Sequence, residues 1–434
     1  MNVPRALRWC CIVLCLVGVC GGLHFYGEHR LEQARARLAR AMSPPALPAA
    51  CRLPESDSRN AAFWYLSAGN AYLARRGISA GSSDLPTRAT RETLDLGPLV
   101  NRSPTTWSAR DVEQAASALA ELSRTLEAAY EAGSRPVCEF RVVASNPVDI
   151  RETVLEWPLL LEVGFQLRQH RLEKAVRAVK VLGDLAFGLE RQQNALSQTI
   201  GTGLEKGYLR GLHWILSAPD VPPSLLRSLR AGLPSESAAA ALARYFASVA
   251  ARYADGEGVE RDLDSGLLGY CCGDLKKARS LEDFAEIRLW ADLPYRQAQQ
   301  ALQVFGERLD KLSRYSWTGF GISKGESLMT FSPANYWVKQ IVKYKGVVAS
   351  RQLAALSLGL RIEAATQGAY PGRLSVDDAK AVDPLVGAHP TYARTASGGV
   401  HLANQRAAAA CGELGLWRVP PPFEWTLPPA GTPR

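Results

Sequence analysis

Apolar residues recur at helical spacing along most of this chain. Three stripes lie beyond a linker rich in proline and alanine, between Ser43 and Pro54, and each covers one face of a helix. The stripes are Val112, Ala115, Ala116, Leu119, Leu122, Leu126 and Ala129; then Leu172, Ala175, Val176, Val179, Leu182, Ala186 and Leu189; then Leu242, Tyr245, Phe246, Val249, Ala250 and Tyr253. They recur without a fixed period, so the pattern predicts a mainly α fold with irregularly arranged helices.

Local signals mark where two of the predicted helices begin or end. Ser108, followed three residues later by Asp111, forms a capping box at the start of the first striped helix. Ser332 and Pro333 are typical of a helix start, and Gly368 is typical of a helix end. The residues between them predict a helix roughly 50 Å long.

The sequence changes character after Gly368. The segments 391–394 and 400–402 are predicted to pair as a hairpin across Ser397, Gly398 and Gly399. The tail from Val419 is rich in proline, which predicts an extended chain. The long helix and the hairpin together predict a small C-terminal α+β cap.

The most apolar segment lies near the amino terminus. Residues 9–26 contain no Asp, Glu, Lys or Arg, and Arg5 and Arg8 stand before them. Eighteen helical residues rise about 27 Å, close to the hydrocarbon thickness of a bilayer. The segment therefore predicts one transmembrane helix, and the two arginines predict that its amino end lies in the cytoplasm.

Two interpretations of this segment remain open, a retained anchor and a cleaved secretory signal. Retention is favoured because the apolar run is longer than an ordinary signal core. Cleavage is the alternative, since Val19 and Gly21 can serve as the small-residue pair. Residues 30–41 form a basic amphipathic helix that either lies against anionic headgroups or is a solvated stalk.

The positive charge of the chain is concentrated beside the apolar segment. The formal net charge is +9, and residues 1–40 carry six arginines against two glutamates. The remainder is only mildly basic, so we predict no nucleic-acid partner, which would require a concentrated basic stripe. Arginine outnumbers lysine 40 to 11, a bias typical of GC-rich bacterial genomes, so the compartment across the membrane is predicted to be the periplasm.

The nine cysteines fall into two groups, one inside the apolar segment and one beyond it. The second group is Cys51, Cys138, Cys271, Cys272 and Cys411, in a compartment that permits disulfides. We expect one bond between Cys271 or Cys272 and one of the other three. No C-x-x-C pair occurs and no histidine stands at metal-ligand spacing, so the sequence predicts no metal site and no cofactor.

Two glycine patterns in the sequence are similar to catalytic or nucleotide-binding motifs. Residues 321–325 match G-x-S-x-G around Ser323, but the α/β alternation that a nucleophile elbow needs is missing, so a glycine-rich loop is favoured. Gly201, Gly203 and Gly207 lack the preceding strand and the spacing of a dinucleotide site, and predict helix packing through small residues. No catalytic residue is assigned, and the sequence leans against an enzyme.

The C-terminal part carries a motif with a G-x-Y-P turn after the long helix and a D-P-x-x-G turn before the hairpin. Its residues are Gly368, Tyr370 and Pro371, then Asp383, Pro384, Gly387 and Tyr392. With Asn60, Ala61 and Tyr65 in an early helix, this segment resembles a group of uncharacterised secreted or membrane-anchored bacterial proteins. The resemblance implies an extracytoplasmic compartment and a C-terminal subdomain, and no activity. Turn chemistry favours a structural role for the motif over a ligand site.

The closing segment is also distantly similar to that of type II secretion pseudopilins. This chain departs from pseudopilins because it lacks their processing motif at the apolar helix and has a far larger ectodomain. A pseudopilin-like role is therefore implied by the closing motif alone.

These observations predict an inner-membrane, single-pass protein whose C-terminal domain lies in the periplasm. The predicted divisions are a cytoplasmic tip 1–8, a transmembrane anchor 9–26, a stalk and linker 27–54, a helical domain 55–331, and the segment 332–434 with the long helix, hairpin subdomain and tail. The predicted role is a non-enzymatic scaffold or module that binds an unidentified protein partner. The alternatives are a periplasmic hydrolase with an unrecognised site and a pseudopilin-like secretion component.

Overall fold

The fold is known from a computed structural model that describes part of the chain. The described residues are 5–41, 56–75, 97–140, 154–192, 195–235, 240–246, 296–301, 334–374, 389–413 and 420–430, with stretches of one or two residues elsewhere between 237 and 304 and between 385 and 417. Within these helices, the side chains of residues 5–16, 38–39, 41, 195 and 334–338 lie outside the description.

Helices make up most of the described chain, so the predicted mainly α fold is confirmed. The helices are α1 (Arg5–Ala41), α2 (Ala61–Arg75), α3 (Gly97–Val100), α4 (Ala109–Glu121), α5 (Ser123–Ala132), α6 (Glu156–Arg168), α7 (Leu172–Glu190), α8 (Ala195–Ser217), α9 (Pro223–Ala231), α10 (Ala334–Gln367) and α11 (Gln405–Glu413). A short 3-10 turn, Pro104–Thr106, lies between α3 and α4.

The chain divides into two compact units, and each unit is assembled from two separate stretches. Unit 1 contains Met1–Leu47 and Ala239–Ile341, and unit 2 contains Pro48–Ala238 and Val342–Arg434. The units therefore interleave along the chain, whereas the sequence-based division at residues 331 and 332 separates consecutive stretches.

Helices α7 and α8 pack closely at the centre of unit 2. A Cβ atom on Gly201 would lie 2.7 Å from the carbonyl oxygen of Ala186, and one on Gly207 would lie 2.7 Å from the Glu156 side chain. The contact at Gly201 is with backbone and leaves no room for a side chain, whereas the one at Gly207 is with the Glu156 side chain, so the predicted helix packing through these glycines is confirmed. Gly203 faces open space and takes no part in the contact.

The apolar stripes and the capping box locate the helices of unit 2. The stripe of α7 is buried from Ala175 onward, and Ser108 and Asp111 form the predicted capping box at the start of α4. The single helix predicted beyond Ser108 is wrong, because the chain bends at Leu122 between α4 and α5. The Leu122 N–H is shared between the carbonyls of Ala118 and Leu119, which tightens this turn while Leu122 itself stays buried.

The C-terminal cap contains a three-stranded antiparallel sheet in the order β1-β2-β3. Its strands are β1 (Thr391–Arg394), β2 (Val400–Ala403) and β3 (Glu424–Leu427). The predicted hairpin is confirmed, with Arg394 opposite Val400 and Gly398 at φ +83° in the turn. The tail from Val419 is extended, as predicted, at β3. It is not a free tail, because β3 pairs with β2 and Trp425 is completely buried.

The end of α10 agrees with the sequence pattern. Gly368 follows the last helical residue with φ +77°, and its N–H donates to the carbonyl of Ala364 at 2.8 Å. This left-handed conformation suits glycine at a helix end. The predicted start signals, Ser332 and Pro333, lie outside the described residues.

In unit 1, α1 runs as one helix through the predicted anchor and the predicted stalk. Leu31 and Ala34 on its second half are buried, and Arg30 pairs with Glu282 at 2.7 Å. The second half therefore has a packed face rather than being solvated all round. Among the side chains that the structure describes, which in α1 begin at Val17, no helix combines the length and apolar character needed to cross a membrane.

Candidate functional site

Charged side chains are concentrated along α8 in two clusters within unit 2. The first, the Arg351 cluster, joins Glu205 of α8 to Glu190 of α7 and Arg351 of α10. The second, the Lys206 cluster, brings Lys206 and Arg210 of α8 near Glu156 at the start of α6. Glu205 and Lys206 are adjacent in sequence and therefore point about 100° apart around the helix.

The Arg351 cluster is a buried, bidentate ion pair with a second carboxylate beside it. The Arg351 Nε and Nη2 atoms each donate to one oxygen of Glu205 at 2.5 Å, and Nη2 lies 3.4 Å from Glu190 Oε2. Glu205 is completely buried, and Arg351 is 5 % exposed. The guanidinium also lies 5.8 Å from the centre of the Phe187 ring. Two buried carboxylates therefore share one guanidinium.

This arrangement restricts the chemistry available to the two glutamates. Paired carboxylates carry out acid–base work in many hydrolases, where they face a substrate across a cleft. Here Glu190 and Glu205 both face Arg351, and the pair is removed from solvent. A general acid or base must reach its substrate within hydrogen-bond distance. The geometry therefore favours a structural cross-link between α7, α8 and α10 over acid–base catalysis.

The Lys206 cluster differs because its charged groups do not touch one another. Within the described part of the chain, Glu156 forms no ion pair within 4 Å with Lys206 or with Arg210. Burial raises the pKa of Glu156 and lowers the pKa of Lys206, while each charge partly offsets the shift of the other. Arg210 Nη1 instead donates to Asn101 Oδ1 at 3.2 Å. Lys206 and Glu156 are half-buried.

A third polar group on α8, His213, lies against the sheet. Its ring packs edge-to-face on Trp425 with the ring centres 5.0 Å apart. Burial lowers the pKa of His213 to about 4, because the imidazolium loses hydration without gaining a partner charge. His213 is therefore neutral at pH 7 and serves as a packing residue between α8 and β3.

The low pKa of His213 predicts a loss of stability in mild acid. The unfolded chain takes up the proton near pH 6.5, whereas the folded chain takes it up only near pH 4, so stability falls as the pH drops through this interval. Between pH 7.5 and pH 5 we expect a loss of about 2 kcal/mol from this group. Urea unfolding of wild type and His213→Phe at both pH values measures it. Equal losses in the two proteins would contradict the assignment.

The sequence-predicted motif residues that the structure describes make packing and turn contacts. Tyr370 is buried and its hydroxyl donates to the carbonyl of Pro428 at 3.0 Å, while the Tyr392 hydroxyl donates to the carbonyl of Pro371. Gly387 has φ +65°, as its turn requires. These contacts tie the end of α10 to β1 and to the tail. Asp383 and Pro384 lie outside the described residues.

The early motif residues Asn60, Ala61 and Tyr65 are also internal. Asn60 is completely buried just before α2, where its Nδ2 donates to the carbonyl of Glu139 and its Oδ1 accepts from the N–H groups of Ala62 and Glu139. The Tyr65 hydroxyl donates to the carbonyl of Val181 at 3.1 Å. Both side chains therefore join α2 to other segments of unit 2.

Several sequence-predicted features lie outside the described residues. These are the glycine loop around Ser323 and the cysteines Cys51, Cys271 and Cys272, so the expected disulfide stays a prediction. In the part of the chain that the structure covers, no group of three His, Cys, Asp or Glu side chains is placed to hold a metal ion.

Glu190, Glu205 and Arg351 of the first cluster were not identified from the sequence. Lys206 and Arg210 of the second were missed as well. The available signal was a charged residue inside an apolar helical stripe, as at Arg351 between Val348 and Leu353. A buried charge at such a position requires a partner. That signal marks the residue but not its partner, which lies 146 positions away for Arg351 and Glu205.

No family model, curated protein or solved structure matches this chain. Its function is therefore argued from its own helices, exposed surfaces and charges.

Proposed function

We propose that this protein is a single-pass bacterial envelope protein, anchored in the inner membrane by residues 9–26, with the chain beyond the anchor in the periplasm. The observation that carries this proposal is the exposure of large apolar side chains on α1. Val17, Val19, Phe25 and Tyr26 are each more than half exposed. Such a surface on one helix is unfavourable in water and favourable in lipid.

The continuity of α1 supports the same placement. The helix extends without a break from the apolar segment into the basic segment that follows it. Arg35, Arg37 and Arg40 are exposed there, where cationic side chains face the headgroup region of a bilayer. The proposed anchor and the basic segment therefore form one helix of unit 1.

We further propose that the folded part is a scaffold or partner-binding module rather than an enzyme. The Glu205 carboxylate accepts from both Nε and Nη2 of Arg351 in the buried Arg351 cluster, which is the behaviour of a structural ion pair. A periplasmic hydrolase with an unrecognised site is the alternative, and the buried pairing of Glu190 and Glu205 with Arg351 does not favour it. A pseudopilin-like component rests on the closing motif alone.

A membrane-impermeant, amine-reactive crosslinker tests both parts of the proposal on the full chain in spheroplasts. All 11 lysines lie at or beyond Lys174, so only the folded part presents lysine amines to the reagent. We expect modification in intact spheroplasts and a discrete adduct with a second protein in the membrane fraction. Modification only after lysis would contradict the periplasmic placement, and modification without a discrete adduct would contradict partner binding.

A further inference from the structure

The Lys206 cluster contains three charged side chains that lie near one another without forming an ion pair within 4 Å. Lys206 and Arg210 are one turn apart on α8 and therefore lie on the same face of the helix. Glu156 reaches that face from α6, and its side chain lies against Gly207, where a Cβ would be only 2.7 Å from Glu156 Oε1. The cluster contains two cations and one carboxylate, and it lies partly removed from water.

The hydrogen-bonding capacity of this cluster is largely unused. An ammonium group has three donors, yet Lys206 makes no hydrogen bond or ion pair to any part of the chain that the structure describes. Glu156 likewise accepts no hydrogen bond from the described residues. The polar atoms of both side chains are not among the buried atoms without a partner, so they reach solvent and are open to a small ligand.

The guanidinium of Arg210, beside Lys206, is held in a fixed orientation. Arg210 is buried, and its Nη1 atom is fixed by Asn101 Oδ1 at 3.2 Å and by the carbonyl of Val100 at 3.3 Å. These contacts use one of its two Nη atoms and orient the guanidinium plane. A fixed guanidinium one helical turn from an ammonium is suited to an oxygen anion, which can accept from both.

We propose that Lys206 and Arg210 bind a small oxyanion, the phosphate or carboxylate group of a small molecule. This site goes beyond the proposed function, because neither anchoring nor partner binding requires it. A bound anion neutralises the excess positive charge and occupies the free donors of Lys206. Glu156, whose pKa burial raises, supplies either a hydrogen-bond donor when protonated or a boundary that rejects larger polyanions.

Isothermal titration of the detergent-solubilised full chain tests this proposal. The probes are inorganic phosphate and acetate, each titrated against sodium chloride of equal ionic strength. We expect saturable binding of at least one probe, a loss of about tenfold or more in affinity for Lys206→Met, and a much smaller loss for Lys206→Arg. The exposed Lys180→Met is the matched control and should bind like wild type.

A second variant covers the case in which Lys206→Met fails to fold. Asn101 is exposed, so Asn101→Ala should keep the fold while removing one of the two contacts that orient Arg210, and the affinity of this variant should fall severalfold. The proposal is overturned if neither probe binds wild type above the chloride control. It is also overturned if a folded Lys206→Met, or Asn101→Ala in its place, binds with wild-type affinity.

Discussion

Replacing Arg351 by methionine is expected to lower the free energy of unfolding by about 3–5 kcal/mol. The substitution leaves the carboxylates of Glu205 and Glu190 buried without the guanidinium that both contact. The cost arises from the uncompensated charges rather than from lost volume, since methionine fills most of the same space. Urea unfolding of the detergent-solubilised full chain, followed by tryptophan fluorescence, measures it.

Two further variants separate this effect from a general loss of contacts. Arg351→Met combined with Glu205→Leu removes both members of the main pair, and should recover much of the loss because no unpaired Glu205 charge remains. Arg75→Met breaks the exposed pair with Glu121 and should cost less than about 1 kcal/mol. If Arg351→Met cost no more than Arg75→Met, the buried cluster would not stabilise unit 2.

Replacing Asn60 by alanine is expected to cost about 3–5 kcal/mol. Its fully buried side chain forms hydrogen bonds at 2.8, 2.9 and 3.1 Å with the backbone of Glu139 and Ala62, among the residues that the structure describes. Alanine leaves these buried donors and acceptors without partners and removes the N-terminal cap of α2. The same urea unfolding experiment measures the loss.

Ser108→Ala is the matched control for Asn60→Ala. Ser108 also caps a helix, but its capping box with Asp111 is exposed, so water can replace the lost hydrogen bonds. We expect a cost of about 1 kcal/mol for Ser108→Ala. An equal cost for the two variants would show that the Asn60 bridge to Glu139 adds nothing beyond ordinary capping.

Local patterns in this sequence predicted local structure well. The stripe of α7, the Ser108 capping box, the glycine end of α10 and the hairpin all follow from residues within a few positions of each other. Neighbouring residues determine such features, because side-chain periodicity and turn conformations act over one or two helical turns.

The features missed from the sequence depend on contacts between distant segments. Strand β3 lies among prolines, which are typical of an extended tail rather than of a strand in a sheet. The alternating residues Phe423, Trp425 and Leu427 are nevertheless buried in the core. The pairing of Arg351 with Glu205 requires α8 and α10 to meet. Neither propensity nor spacing specifies that meeting, so the candidate site could not be assembled from the sequence.

Carbonate extraction of membranes tests the central claim, the anchor at residues 9–26, most directly. Val17→Arg with Val19→Arg places two charges in the middle of the apolar segment, at about 2.5–3.5 kcal/mol each. Gln33→Arg with Ala36→Arg adds the same charge on the exposed part of α1 beyond it. Wild type and the second variant should stay in the pellet at full length, while the first variant should be released. Release of a wild-type chain, full-length or shortened, or equal retention of all three, would contradict the account.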